Sequence, residues 1–219
     1  MKVNLGVLVS GSGSNLQSII DKIEKGLLDA VIKVIISNDP DAYALERAKK
    51  HNIPTVVIRH CDFGKREDFD QEMVAILKSY SVDLVIMAGF MRVLSPLFLN
   101  AFPMKIMNIH PAILPSFTGT HAQKRAAEYG VKFSGCSVHF ADEGVDTGPI
   151  IIQAIVPVYD DDTEDTLGAR ILKEEHKIYP QAIQFYAEGR IEVTGRKVRI
   201  KGSDRIPDIP LHNPPLTIF

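Results

Sequence analysis

Three polar side chains in this chain have types that can move protons and steady a developing negative charge. Asn108 and His110 lie in Ile106-Met107-Asn108-Ile109-His110-Pro111-Ala112-Ile113-Leu114-Pro115, an apolar run that begins as a strand and stops at two prolines. Strand side chains alternate between faces, so Asn108 and His110 point to one side and Met107 and Ile109 to the other. An imidazole exchanges protons near neutral pH, and an amide can donate a hydrogen bond to an oxyanion without changing charge. The third residue, Asp146, sits in the acidic, glycine-flanked stretch Ala141-Asp142-Glu143-Gly144-Val145-Asp146-Thr147-Gly148-Pro149. A carboxylate that reached His110 would hold or charge the imidazole and raise its pKa. The plainer readings are a buried polar pair satisfied by backbone and an ordinary solvated loop aspartate.

Other residues suggest binding. Ser10-Gly11-Ser12-Gly13-Ser14-Asn15 follows the apolar run Val3 to Val9, and Leu16, Ile19, Ile20 and Ile23 then recur at helical spacing. A flexible turn at a helix N-terminus offers backbone N–H groups to an anion. The dinucleotide fingerprint would place its third glycine where Leu16 stands, and the P-loop lysine is absent, so a single phosphate is expected; a tight turn with no ligand is the alternative. Glu175 interrupts an apolar helical stripe of Leu167, Ile171, Ile178, Ala182 and Phe185, which suggests a ligand-facing carboxylate. Met91-Arg92-Val93-Leu94 follows a strand that ends at Gly89, where open α/β sheets bind ligands. Met91 and Leu94 could equally be core-edge residues. His110, His121 and His139 lack the close helical spacing of common zinc motifs, so no metal is expected.

The elements that would position these groups alternate between strand and helix. Strands are expected over Val3 to Val9, Ala30 to Ser37, Thr55 to Ile58, Leu84 to Ala88 and the run ending at His110. Helices are expected after Asn15, over Ala42 to His51 and over Lys65 to Tyr80. This predicts an α/β fold, a doubly wound, mostly parallel, Rossmann-like sheet with right-handed crossovers. After a loop from Pro111 to Thr120 and a short helix from His121 to Tyr129, two β segments (Ser134 to Phe140 and Ile150 to Val158) predict an antiparallel excursion of the sheet. Thr163 is placed to cap a long helix reaching about Glu188, kinked at Pro180. Two short β runs over Ile191 to Ile200 precede a proline-rich, irregular end.

The 219 residues suffice for one sizeable core, and the hydrophobic (45%) and charged (24%) fractions are those of a soluble globular protein. A net charge of -2 gives no reason to expect nucleic acid or an anionic membrane as partner. Two cysteines without CxxC spacing, no signal peptide and no long apolar span predict a cytoplasmic protein.

Taken together, Asn108, His110 and Asp146 resemble the signature of the formyltetrahydrofolate-using enzymes. The stretches Ser10 to Leu16, Ala88-Gly89-Phe90-Met91-Arg92, Met107 to Pro111, and Ser137-Val138-His139-Phe140 leading to Asp146-Thr147-Gly148-Pro149 narrow this. Across Met1 to about Gly195 the chain resembles the phosphoribosylglycinamide formyltransferases, folate-dependent enzymes of purine synthesis. That resemblance implies a single formyltransferase domain: a nucleotide-phosphate half over 1–110, a folate-binding and catalytic half over 111–195, and an irregular tail over 196–219.

It also implies 10-formyltetrahydrofolate as co-substrate, glycinamide ribonucleotide as acceptor and no metal. Asn108, His110 and Asp146 would be catalytic. Gly13, Ser14, Asn15, Pro111, Leu172, Lys173, Glu174 and Glu175 would bind the nucleotide. Arg66, Met91, Arg92, Val93, Leu94, Asn108 and the loop Asp142, Glu143, Gly144, Val145 and Asp146 would contact the folate. A monomer or homodimer acting on small molecules is implied. Thr118 departs from the proline that many relatives carry before His121. A formyltetrahydrofolate hydrolase would share the three catalytic residues but typically carries a further N-terminal domain. A methionyl-tRNA formyltransferase would need an RNA-binding domain and a basic surface. A non-catalytic nucleotide-binding module would have no use for the three residues.

Overall fold

Val3–Val9 forms β1, an apolar strand that pairs in parallel with β2 (Ala30–Ser37) on one side and, across the middle of the sheet, with β4 (Leu84–Met87) on the other. The computed structural model describes residues 2–204 and 210–216. Outward from β2 lies β3 (Thr55–Val57), and outward from β4 lies β5 (Ile106–His110), both parallel. The direction then reverses: β6 (Phe133–Phe140) runs antiparallel to β5, and β7 (Ile150–Pro157) antiparallel to β6. The order β3-β2-β1-β4-β5-β6-β7 is the mostly parallel, doubly wound sheet with an antiparallel excursion that the sequence predicts.

Among the described residues six α-helices accompany it: α1 (Ser14–Glu24), α2 (Tyr43–Lys50), α3 (Arg66–Ser79), α4 (Pro96–Ala101), α5 (Ala122–Tyr129) and α6 (Glu164–Ala187). They divide between the two faces. Leu5, Val7, Met107, Ile109, Cys136 and Val138 pack against α1, α2 and α6, whereas Leu8, Ile36, Val85 and Ile106 pack against Phe69, Met73 and Leu77 of α3 and Phe98 of α4. Each fully buried Leu, Ile or Val contributes about 1.5–3 kcal/mol relative to an exposed one, so both apolar layers hold the sheet in place.

Details of α6 differ from the sequence pattern. Thr163 caps it through a reciprocal box with Thr166, as predicted. The stripe turned to the core is Leu167, Ile171, Glu175, Tyr179, Ala182 and Ile183. Ile178 is only partly buried and Phe185 lies off the core face, because a 3.6-residue period carries the contact line from Glu175 to Tyr179 rather than to Ile178. The helix continues through Pro180, which is itself buried. The Tyr179 hydroxyl sits 2.9 Å from the Met87 carbonyl and 2.8 Å from the Met107 carbonyl, tying α6 to β4 and β5. The short α4 and a 3-10 turn at His60–Asp62 are absent from the sequence pattern.

The two runs near the end pair as a hairpin, β8 (Ile191–Thr194) with β9 (Lys197–Ile200). Asn213 reaches back to the carbonyls of Lys132 and Val158, beside β6 and β7. The rest of the expected irregular tail, 205–209 and 217–219, lies outside the described residues.

Candidate active site

Asn108 and His110 share one face of β5, as their spacing predicts, and the reversed strand β6 supplies their neighbours. Asn108 stands opposite His139, and His110 opposite Ser137. Directly opposed residues of an antiparallel pair project to the same face, so a second imidazole joins the cluster. The Ser137 hydroxyl donates to the Ala112 carbonyl at 2.7 Å and accepts from the Leu114 N–H at 3.0 Å, fixing the chain just beyond His110.

The loop after β6 folds back over this face and delivers Asp146, although 38 positions separate it from Asn108. Asp146 occupies a left-handed conformation (φ 56), and its Oδ2 accepts from the Gly119 N–H at 2.8 Å. Oδ2 also lies 3.2 Å from His110 Nδ1, and Oδ1 lies 3.3 Å from Asn108 Nδ2. Asp142 shapes the loop by accepting from the Gly144 N–H at 3.1 Å and the Thr147 hydroxyl at 2.6 Å.

Proton placement follows from partners. His139 Nδ1 lies 2.9 Å from the Phe140 carbonyl and Nε2 lies 3.1 Å from Asn108 Nδ2. The two contacts of Asn108 Nδ2, with His139 Nε2 and with Asp146 Oδ1, assign the amide nitrogen inward. Both Asn108 N–H groups are therefore engaged in the resting site, whereas the sequence reading had one directed at an oxyanion. Burial alone would push the Asp146 carboxyl up; contacts with His139, the Gly119 N–H and His110 outweigh it and hold the carboxyl below its ordinary value.

His110 corrects the sequence expectation. Asp146 and the Phe117 carbonyl, 2.9 Å from Nε2, do pull its pKa upward, but burial is the larger influence and the net shift is downward. The resting imidazole is thus biased toward the neutral form. His121 lies elsewhere, 3.4 Å from Glu164, so the three histidines do not converge.

The glycine-rich turn sits at the start of α1, bordering a cleft lined by Ser10–Asn15, Ala88, Gly89 and Met91. Gly13 has φ +68, and a Cβ there would come within 2.7 Å of Ala44 Cβ, so both conformation and space require glycine. The Ala44 N–H donates to the Gly11 carbonyl at 3.0 Å, and Arg47 Nε donates to the Ser12 carbonyl at 2.8 Å. Helix α2 thus braces the turn from behind. Among the described residues no side chain caps α1, which leaves its first-turn N–H groups available to an anion.

Glu175 is buried and accepts from Asn15 Nδ2 at 2.8 Å; burial pushes its carboxyl up. Asn15 Oδ1 is buried without a partner among the described residues. Glu175 thereby joins the glycine-rich turn, and no hydrogen bond or ion pair among the described residues links it to Asn108, His110 or Asp146. Leu172 is partly buried, Lys173 exposed, and Glu174 pairs with Lys177 at 2.8 Å. Pro111 is partly exposed beside His110. Met91 is 72% exposed at the cleft, and Arg92 and Val93 are exposed, whereas the Leu94 side chain is buried with the α3 and α4 apolar layer. Glu143, Gly144 and Val145 are exposed, and Arg66 lies at the first turn of α3, 3.7 Å from Glu67. The Thr118 carbonyl accepts from Arg125 Nη1 at 2.6 Å, so this loop is held without a proline. Sequence reasoning missed His139, Phe117, Gly119 and Arg47 as site partners. His139 alone had a signal, its place in the stretch Ser137-Val138-His139-Phe140, but its partner Asn108 is visible only in the strand pairing.

Comparisons with known proteins identify the family and the overall fold. The formyl transferase family model matches residues 3–183. The chain is 40% identical over 205 residues to phosphoribosylglycinamide formyltransferase of Escherichia coli, covering 94% of this chain and 96% of that protein. It is 48% identical over 187 residues to the trifunctional purine biosynthetic protein adenosine-3 of Drosophila melanogaster, covering 84% of this chain but only 14% of that longer protein. The crystal structure of glycinamide ribonucleotide transformylase 1 from Symbiobacterium toebii superimposes with a TM-score of 0.90 at 48% identity, covering 91% of this chain and 94% of that one.

Proposed function

Because the chain belongs to the formyl transferase family, we propose that it transfers a formyl group from 10-formyltetrahydrofolate to the amine of glycinamide ribonucleotide in purine biosynthesis. The observation that carries this reading is the return of the Asp146 loop onto the β5 face, which sets a carboxylate 3.2 Å from the imidazole of His110. An isolated nucleotide-binding turn would have no need of that cluster.

In the reaction the acceptor nitrogen forms a bond to the formyl carbon, a tetrahedral intermediate develops, and the bond from that carbon to the folate nitrogen breaks. One proton must leave the attacking amine and one must reach the departing nitrogen. A neutral His110 suits the first task, and the imidazolium formed suits the second, with the Asp146 carboxylate stabilising it in between. Both ring nitrogens face acceptors at rest, and a neutral ring can donate to only one, so Nε2 must exchange the Phe117 carbonyl for substrate. Asn108 serves the oxyanion by handing over one N–H, and the longer contact to Asp146 is the one to yield.

The glycine-rich turn, through Gly13, Ser14 and Asn15, takes the nucleotide phosphate, with Glu175 and its neighbours Leu172 to Glu174 and Pro111 toward the glycinamide. Arg66, Met91 to Leu94 and Asp142 to Asp146 form the folate side. We read the protein as a cytoplasmic enzyme of small molecules, monomeric or homodimeric; no described helix is long and apolar enough to cross a membrane. The test is an acceptor assay with 10-formyltetrahydrofolate and, in separate reactions, glycinamide ribonucleotide, water alone and methionyl-tRNA. Formylation of glycinamide ribonucleotide is expected, and formate release or tRNA formylation in its place would overturn the reading.

A further inference from the structure

Ser10 belongs in sequence to the glycine-rich turn, yet its hydrogen bonds lead elsewhere. Its N–H donates to the Gly89 carbonyl at 3.1 Å, and its hydroxyl accepts from the Met91 N–H at 2.9 Å while donating to Asn38 Oδ1 at 2.5 Å. Asn38 is held in turn, with Nδ2 3.4 Å from His60 Nδ1. At the far end of the same segment, the Ser95 N–H donates to Asp70 Oδ2 at 2.5 Å. Asp70 is buried in α3, an unusual place for a carboxylate. Between these two points Arg92, Val93 and Leu94 make no hydrogen bond among the described residues, and only the buried side chains of Phe90 and Leu94 anchor the chain.

We propose that Ser10 and Asp70 are positioning residues for the folate side of the site, two polar posts between which Met91 to Leu94 is suspended. The proposal rests on the folate reading above. It assigns to a residue of the nucleotide turn a role toward the other substrate. The nucleotide turn does not depend on the Ser10 hydroxyl, because Ala44 and Arg47 brace the Gly11 and Ser12 carbonyls independently. The Met91 backbone does depend on it: without the hydroxyl, the Met91 N–H has only water as a partner, and the segment loses the post nearer the cleft.

The experiment compares wild type, Ser10→Ala and Ser10→Thr by the KM of each substrate, and by amide exchange at Met91 in the ligand-free protein. Ser10→Ala is expected to raise the folate KM about fivefold while moving the nucleotide KM by less than about twofold. Met91 exchange is expected to quicken by about tenfold. Ser10→Thr, which keeps a hydroxyl, should restore both. Asp70→Ala should raise the folate KM in the same selective way, and Asp70→Asn, which keeps an acceptor for Ser95, should raise it less. A nucleotide KM that rises as much as the folate KM, or Met91 exchange unchanged in Ser10→Ala, would overturn the proposal. Met91 exchange reads the tether without any substrate, so a wrong acceptor assignment would not be mistaken for a missing tether.

Discussion

His110 is gripped on both sides by acceptors: Nδ1 lies 3.2 Å from Asp146 Oδ2, and Nε2 lies 2.9 Å from the Phe117 carbonyl oxygen. A neutral imidazole has one N–H and can satisfy only one of them, whereas an imidazolium satisfies both. Burial nevertheless pushes the ring toward the neutral form. A base at this position is biased toward the neutral form at rest and already has partners for a proton it would take.

If the pair acts as one unit, its substitutions will not multiply. Asp146→Asn is expected to cut turnover strongly, by about 100-fold or more, and adding it to His110→Ala should cost little beyond His110→Ala alone. A double-mutant cycle on kcat checks this, and simple multiplication of the single effects would establish independent roles.

The pH profile carries a sign. Activity that needs neutral His110 rises with pH through the His110 pKa, which burial holds below the ordinary histidine value. Asp146 pulls that pKa upward, so Asp146→Asn should move the acid limb of kcat/KM to still lower pH. A limb that moves up instead would show that the carboxylate does not act on His110 by charge.

Glu175 should set function against stability. Its carboxyl is raised by burial, so its contribution is most favourable at pH below the ordinary carboxylate range and is lost as pH rises through the raised value. Glu175→Gln should therefore stabilise the protein at neutral pH by about 1–3 kcal/mol, with the gain shrinking on acidification. The same change should raise the nucleotide KM. Denaturant melts at two pH values, beside kinetics at low nucleotide concentration, measure both effects.

The two glycines of the turn should behave differently. Gly11 has nothing near its missing Cβ among the described residues, while Gly13 combines a left-handed backbone with Ala44 close by. Gly13→Val should cost about 2–4 kcal/mol of stability and raise the nucleotide KM far more than the folate KM, with Gly11→Ala nearly neutral in stability. Equal loss for both substrates in Gly13→Val would leave the turn a structural role alone.

Much of this architecture is legible in the chain because its signals are local. The continuous apolar runs of β1 and β2 mark strands buried on both faces, and their observed ends match the sequence reading. Thr163 announces α6 by its hydroxyl and the acidic residues after it. The prolines after His110 mark the end of β5. What escaped depends on non-local geometry. His139 matters through its register opposite Asn108, which no sequence spacing expresses. The direction of the His110 shift depends on how deeply the ring is buried, and Asp146 argues the other way. Asp70 looks like any acidic residue in the first turns of a surface helix until the Ser95 N–H is placed against it. The short α4 is too brief for a helical period to register.

The reversal of direction at β6 gives the molecule a modular character. Asn108, His110, His139 and Asp146 all fall within Ile106–Pro157, a contiguous stretch whose three strands are each paired to the next. The glycine-rich turn follows β1, two strands away across the sheet. The groups proposed to handle the formyl carbon and the loop proposed to take the acceptor's phosphate therefore reside in separate pieces of chain. Changes in one can alter which amine is presented while the other keeps its chemistry.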